Sequence, residues 1–312
     1  MTLEPFRAPI NMSDAGRQVN LLDALPHDVG RLADIIHGLL IHQHIAPVYG
    51  VTLTPAQQLE AHIRGVEPML ERIAAHDARP LSVPRPAHER LVGVCRHFTL
   101  LHVAMLRRQG TPARARCGFG AYFETGKYVD HWVTEFWNST EQRWQLCDPQ
   151  IDADQRQLFR IAFDPKDTPR DQFVVAGDAW QLCRSGKADP QAFGILDMRG
   201  LWFIAGNVVR DVAALNNHEM LPWDVWGAMG RTDAELDLEF IDCMAPLSSQ
   251  PDRDPAALQR AYRDARIAVP DTVFNAVLNR PDRLTSPIGS AITANTSRES
   301  DNSCCRGRAG VL

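Results

Sequence analysis

The 312-residue sequence has no excess of basic residues: 33 Lys and Arg stand against 38 Asp and Glu, a formal net charge of −5. That balance leaves no electrostatic footprint for nucleic acid, which is not expected as a partner. No uninterrupted apolar run reaches the ~20 residues that span a bilayer, so no membrane association is expected either. The opening Met1-Thr2-Leu3-Glu4-Pro5-Phe6-Arg7 lacks the cationic-then-apolar order of a signal peptide. Cysteine is sparse and odd in number, seven along a long chain, which argues against a disulfide framework and for a reducing cytoplasm. There is no glycine-rich phosphate loop, no HExxH pair and no acidic loop with EF-hand spacing, so no nucleotide, zinc or calcium cofactor is expected. His37, His42 and His44 lie close together in sequence. No two of them have the three- or four-residue spacing that sets ligands side by side on a helix. Cys304-Cys305 likewise has no preceding partner at metal-ligand spacing.

What is present is an ordinary globular composition, 45% hydrophobic and 23% charged, with enough length for a large core. Residues 1–29 read as an irregular arm, 30–84 as a helical part, 85–165 as a core, 166–284 as mainly helical, and 285–312 as a disordered, Ser/Thr-rich tail. Between Gly30 and Gly50, Leu32, Ile36, Leu40 and Ile41 recur at helical spacing. Thr54-Pro55-Ala56-Gln57 reads as a capping box with proline at the first helical position. The expected buried stripe is Leu59, Ile63, Val66, Leu70 and Ile73, with a kink or division at Pro68. From Val94 a helix apolar on nearly every side should be central, stopping at Gly110 before Pro112. Alternation from Ala113 to Phe123, then strands near 131–137 and 143–148, predict an antiparallel meander. Thr232-Asp233-Ala234-Glu235 is a second capping-box candidate, and Asp254-Pro255 should open a helix that ends before Pro270.

The chemistry concentrates in three places. Cys95 begins the buried helix, where free amides and positive partial charge favour a thiolate and can hold an oxyanion. His131 and Asp148 sit on the two strands of the expected hairpin. If its turn is centred between Ser139 and Thr140, they fall directly opposite each other on one face, within reach of a hydrogen bond. A nucleophile, its base and an orienting carboxylate are then all available. The plain alternatives are a buried apolar cysteine, a hydrogen-bonded strand histidine and a turn aspartate before Pro149. Asp130 should point to the opposite face from His131. His97 is two residues from Cys95 on the same helix and does not face it. Trp132, Trp137 and Trp144 read as core, although Trp132 could also shield the site.

Gly93-Val94-Cys95, Leu106 to Arg114, Asp130-His131-Trp132 and Trp144 to Pro149 together resemble the transglutaminase-like superfamily over about residues 85–152. Met198 to Phe203 and Leu221 to Gly227 resemble a bacterial branch of that superfamily. The resemblance implies an α+β, papain-like core: a buried cysteine-bearing helix packed on an antiparallel sheet, with additional helices before and after. It implies that Cys95 attacks an amide or ester carbonyl of a peptide, protein or small molecule. His131 would move the protons and Asp148 would hold the imidazole, with a thioester passed to water or an amine. Many relatives carry an acid where this chain has His97. A second oxyanion donor is sought at Gln43 or His44. The competing expectation is a catalytically silent peptide- or protein-binding module on the same fold.

Overall fold

The computed structural model describes residues 3–284; the tail from Thr285, with Cys304 and Cys305, lies outside the described residues. The amino-terminal arm is partly ordered: three short 3-10 turns, Glu4–Phe6, Asn11–Ser13 and Gly16–Leu22, bring Phe6, Ala15 and Leu22 into the core. Helix α1 (Val29–His37) follows, its first turn capped by Asp28, which accepts from the Arg31 N–H at 2.7 Å.

The helical periodicity that continues to Ile41 is misleading. The helix ends at Gly38, where a Cβ would stand 2.9 Å from Pro84, and Leu40–His42 form strand β1 instead. Leu39, Leu40 and Ile41 are all buried, and a short continuous apolar run suits a strand as well as a helix.

Helix α2 (Pro55–Gln58) opens on the expected box. Thr54 Oγ1 accepts from the Gln57 N–H at 3.2 Å, and Gln57 Oε1 accepts from the Thr54 N–H at 3.0 Å. It lasts one turn only. Leu59, expected in the buried stripe, is 57% exposed, and α3 (Val66–His76) begins afresh after Gly65. The division therefore falls at residues 63–65, not at Pro68. Pro68 is the third residue of α3, where a missing N–H costs no intrahelical bond. Val66, Leu70 and Ile73 are buried as expected.

Strand β2 (Leu91–Gly93) pairs in parallel with β1, setting His42 opposite Gly93. Helix α4 (Cys95–Arg108) buries every residue except Arg108, and Gly110 at φ +78° turns the chain out of it. Strands β3 (Ala113–Gly120), β4 (Tyr128–Asn138) and β5 (Arg143–Cys147) form the antiparallel meander. After α5 (Ala153–Leu158), β6 (Phe173–Val175) adds to the free edge of β3 and runs into α6 (Ala176–Arg184). Strand β7 (Phe193–Ile195) pairs in parallel with the start of β4, and β8 (Met198–Arg199) with β7.

Helix α7 (Leu201–Ala214) is buried over all but its first two residues. The expected box at Thr232 does not form: Thr232 makes no capping bond, and Asp233 instead accepts from the Trp202 N–H at 2.7 Å, in the first turn of α7. Strand β9 (Asp224–Val225) precedes α8 (Leu238–Ser249) and α9 (Pro255–Ala261). The α9 cap is Asp254, as read from the sequence. Gly177 on α6 brings that helix against α8 so closely that a Cβ would stand 2.2 Å from the Ala245 carbonyl oxygen. Strands β10 (Thr272–Asn275) and β11 (Arg280–Arg283) complete a three-stranded sheet with β9.

The result is an α+β fold with two large apolar clusters. One lies among α1, α3, α4, β3 and β4, the other among α6, α7, α8 and α9. Among the described residues no helix is long and apolar enough to cross a membrane.

Candidate active site

Cys95 takes the first position of α4 because Val94 is extended (φ −125°, ψ 174°) and the chain turns helical directly after β2. His97 secures that turn. Its Nδ1 accepts from the Val94 N–H at 3.2 Å, while Nε2–H donates to the Ile63 carbonyl oxygen at 2.9 Å. Burial, with the neighbouring Arg96 charge, pushes His97 down to about 3, so the ring is neutral and acts as a cap, not a base. Gly93 makes room for it, since a Cβ there would stand 2.9 Å from His97 Cβ. His97 therefore has a structural job.

His131 lies on β4, opposite Gly118 of β3. Its Nε2–H donates to Asp148 Oδ2 at 2.8 Å, which leaves Nδ1 for the thiol. Burial opposes charge on this ring. The Asp148 carboxylate, through its charge and hydrogen bond, and then Cys95 outweigh that cost and lift His131 to about 10. The ring is held between Asp148 and the Cys95 thiol. Phe123 stands 4.7 Å from the ring centroid, with Tyr122 and Phe173 beyond.

Asp148 reaches His131 by a different register from the one expected. Asn138 pairs with Arg143 and Thr134 with Cys147, so the turn comprises four residues, Ser139 to Gln142, centred one residue later than the sequence suggested. The Asn138 side chain accepts from the Thr140 and Glu141 N–H groups at 3.0 Å each, and Gln142 adopts φ +53°. The ladder shifts by two residues, which preserves the face. Asp148 lies just past the end of β5 and diagonal to His131. Its N–H donates to the Pro165 carbonyl oxygen at 2.8 Å, and Oδ1 accepts from the Gln150 N–H at 3.0 Å.

Cys95, His131 and Asp148 are 6%, 3% and 2% exposed, so all three side chains are buried. A surface cavity of ≈ 580 Å³ is lined by Tyr122, Phe123, Phe159, Ile161 and Phe163 among others. Tyr122 and Phe123 separate that cavity from His131.

The remaining sequence candidates fall as follows. The Gln43 N–H donates to the Gly93 carbonyl oxygen at 2.9 Å, placing the 42–44 segment beside the start of α4. The Gln43 carboxamide donates to His44 Nε2 at 2.9 Å, so these two side chains engage each other. Trp132 alternates with His131 on β4 and is fully buried in the apolar cluster that includes Cys95; it presents no edge to solvent. Asp130 points away from His131, accepting from Asn207 of α7 at 2.7 Å. Among the described residues no group of three His, Cys, Asp or Glu side chains is placed to hold a metal. Sequence reasoning missed Tyr122, whose hydroxyl donates to Asp148 Oδ2 at 2.6 Å. It was assigned to a strand that in fact stops at Gly120, two residues before it.

Residues 54–149 match the family model of the transglutaminase-like superfamily. Over these residues the chain is similar to that superfamily. The transglutaminase-like match takes in α2 and α3 upstream of residue 85 and includes Cys95, His131 and Asp148. A solved structure described as "a putative cysteine protease from Cytophaga hutchinsonii" is similar at 16% identity and a TM-score of 0.34. The similarity covers 57% of this chain and 48% of that one, so the chain spans about half of that protein's length. No curated protein matches the chain.

Proposed function

We propose that the protein is a cysteine-dependent acyl-transfer enzyme, a peptidase or amidase or else a transamidase, on a papain-like core. The observation that carries this is the 2.8 Å bond between His131 Nε2 and Asp148 Oδ2, on a ring that the Cys95 thiol also engages. Cys95 gives its proton to His131 Nδ1, and the sulfur attacks the carbonyl carbon of an amide or ester. The carbonyl electron pair moves to oxygen, where the Cys95 N–H, free of an intrahelical acceptor at the first helical position, can donate. Gln43 or His44 would supply the second donor. The tetrahedral species collapses, the carbon–nitrogen or carbon–oxygen bond breaks, and His131 returns its proton to the leaving group. Water or an amine, deprotonated by His131, then attacks the thioester and releases the Cys95 thiol. These steps use the side chains and backbone of this chain and call for no cofactor. Cys117, Cys147 and Cys183 are also free thiols, which suits a reducing compartment such as the cytoplasm.

The test is the pH dependence of Cys95 alkylation by iodoacetamide, followed by mass spectrometry, with a panel of amide and ester substrates. Labelling at neutral pH should slow strongly in His131→Ala, and Cys95→Ala should abolish turnover with the fold intact. Equal labelling in parent and His131→Ala, with no turnover, would favour a silent peptide-binding module on the same fold.

A further inference from the structure

Asp148 Oδ2 has two donors. His131 Nε2–H lies at 2.8 Å and the Tyr122 hydroxyl at 2.6 Å, while Oδ1 is taken by the Gln150 N–H. The Tyr122 bond is at the short end of the range, as expected of a hydroxyl donating to a carboxylate in a buried setting. Tyr122 is itself fixed. Its ring packs 4.4 Å from Phe123 and 5.3 Å from Phe163, in an apolar cluster with Ile151 and Ile161. Burial and the Asp148 charge push the phenol well above its ordinary value, so its proton stays on oxygen and the bond keeps one direction.

Resting on the acyl-transfer proposal, we propose that Tyr122 is a positioning residue that acts through Asp148. It holds Oδ2 in line with His131 and takes up part of the carboxylate charge that would otherwise go to the imidazolium. The second effect matters for catalysis. A ring that must receive the thiol proton and then return it to a leaving group works best when neither state is overwhelmingly favoured. Asp148 already lifts His131 far above an ordinary histidine. A donor sharing the same oxygen limits that lift. The titratable groups that bear on His131 from the surrounding elements are Cys95 on α4, Tyr122 after β3, Asp148 after β5, Asp130 beside it on β4 and His42 on β1. Of these Tyr122 is the one that donates to Asp148.

The experiment is the pH profile of Cys95 alkylation in the parent, Tyr122→Phe, Asp148→Asn and the double variant. Tyr122→Phe keeps the ring and its packing and removes one hydrogen bond. Its profile should move to lower pH by about half to one unit, because the imidazolium gains the whole of Oδ2. Asp148→Asn should move the profile the other way, and adding Tyr122→Phe to it should change nothing further. A packing role for Tyr122 predicts a loosened His131–Asp148 pair and hence a shift towards higher pH, as in Asp148→Asn. That result, or a Tyr122→Phe profile superimposed on the parent, overturns the inference while the acyl-transfer proposal stands. A parent profile indifferent to His131→Ala removes both.

Discussion

Arg116 of β3 forks onto Asp211 of α7, with Nε–Oδ1 at 3.2 Å and Nη2–Oδ2 at 2.9 Å, while its Nη1 donates to Glu135 of β4 at 2.8 Å. All three side chains are buried, and the two carboxylates raise Arg116 above even its ordinary value despite the burial, so it stays charged. Arg116→Met should leave Asp211 and part of Glu135 uncompensated in the interior. A loss of about 3–5 kcal/mol in urea unfolding is expected, and a change under about 1 kcal/mol would mean that water or Arg114 takes over the pairing.

Asp148→Asn removes the strongest influence raising His131 while leaving a side chain of the same shape. Turnover should fall on the order of 10²- to 10⁴-fold, by analogy with other triads. Alkylation of Cys95 at pH 6 should slow, with the circular-dichroism spectrum unchanged. Parent-like alkylation at pH 6 would remove Asp148 from the site.

Two sets of histidines should bend stability in opposite directions with pH. Burial first, then neighbouring charge or bonding, sets His97 at about 3 and His102 at about 4, both below the unfolded ~6.5. Their contribution is present above pH ~6.5 and is lost as pH falls towards those values. His131, held near 10, contributes fully below pH ~6.5 and loses that contribution as pH rises towards 10. Urea midpoints measured from pH 5 to 10 should therefore pass through a maximum. His102→Gln should flatten the acid arm and His131→Gln the alkaline arm; an alkaline arm unchanged in His131→Gln would contradict the His131–Asp148 linkage.

Gly177→Ala should destabilise by about 1–3 kcal/mol, because its Cβ would run into the Ala245 carbonyl oxygen across the α6–α8 contact. Differential scanning calorimetry reads this directly. A neutral result would mean that the two helices can part without cost.

The sequence carried the local signals well and the relations between segments poorly. The Thr54–Gln57 box, the Asp254 cap and the all-apolar face of α4 are each written within a few residues, and each formed. Strand β1 did not show itself, because its partner β2 lies some fifty residues away and a three-residue apolar run fits either period. The His131–Asp148 juxtaposition was legible only because a two-residue shift of the ladder keeps the same face. A one-residue error in loop length would have hidden it. Asp233 shows the converse: a helix-start pattern whose acid caps a helix thirty residues earlier. Tyr122 left no signal, since its role depends on the chain leaving the sheet at Gly120.

The pairing of the Gln43 N–H with the Gly93 carbonyl bears on how far this machinery can be cut down. The segment 54–149 contains Cys95, His131 and Asp148 but not β1, which steadies the strand leading into Cys95. It also lacks Asn207 and Asp211, through which α7 grips β3 and β4. Excised alone, that stretch would keep these three side chains and lose the walls that hold them in register. The trio is not a portable cassette, and a fragment that keeps its geometry has to extend from the amino-terminal helix through α7 and, by way of the Ser248–Asp211 bond, into α8.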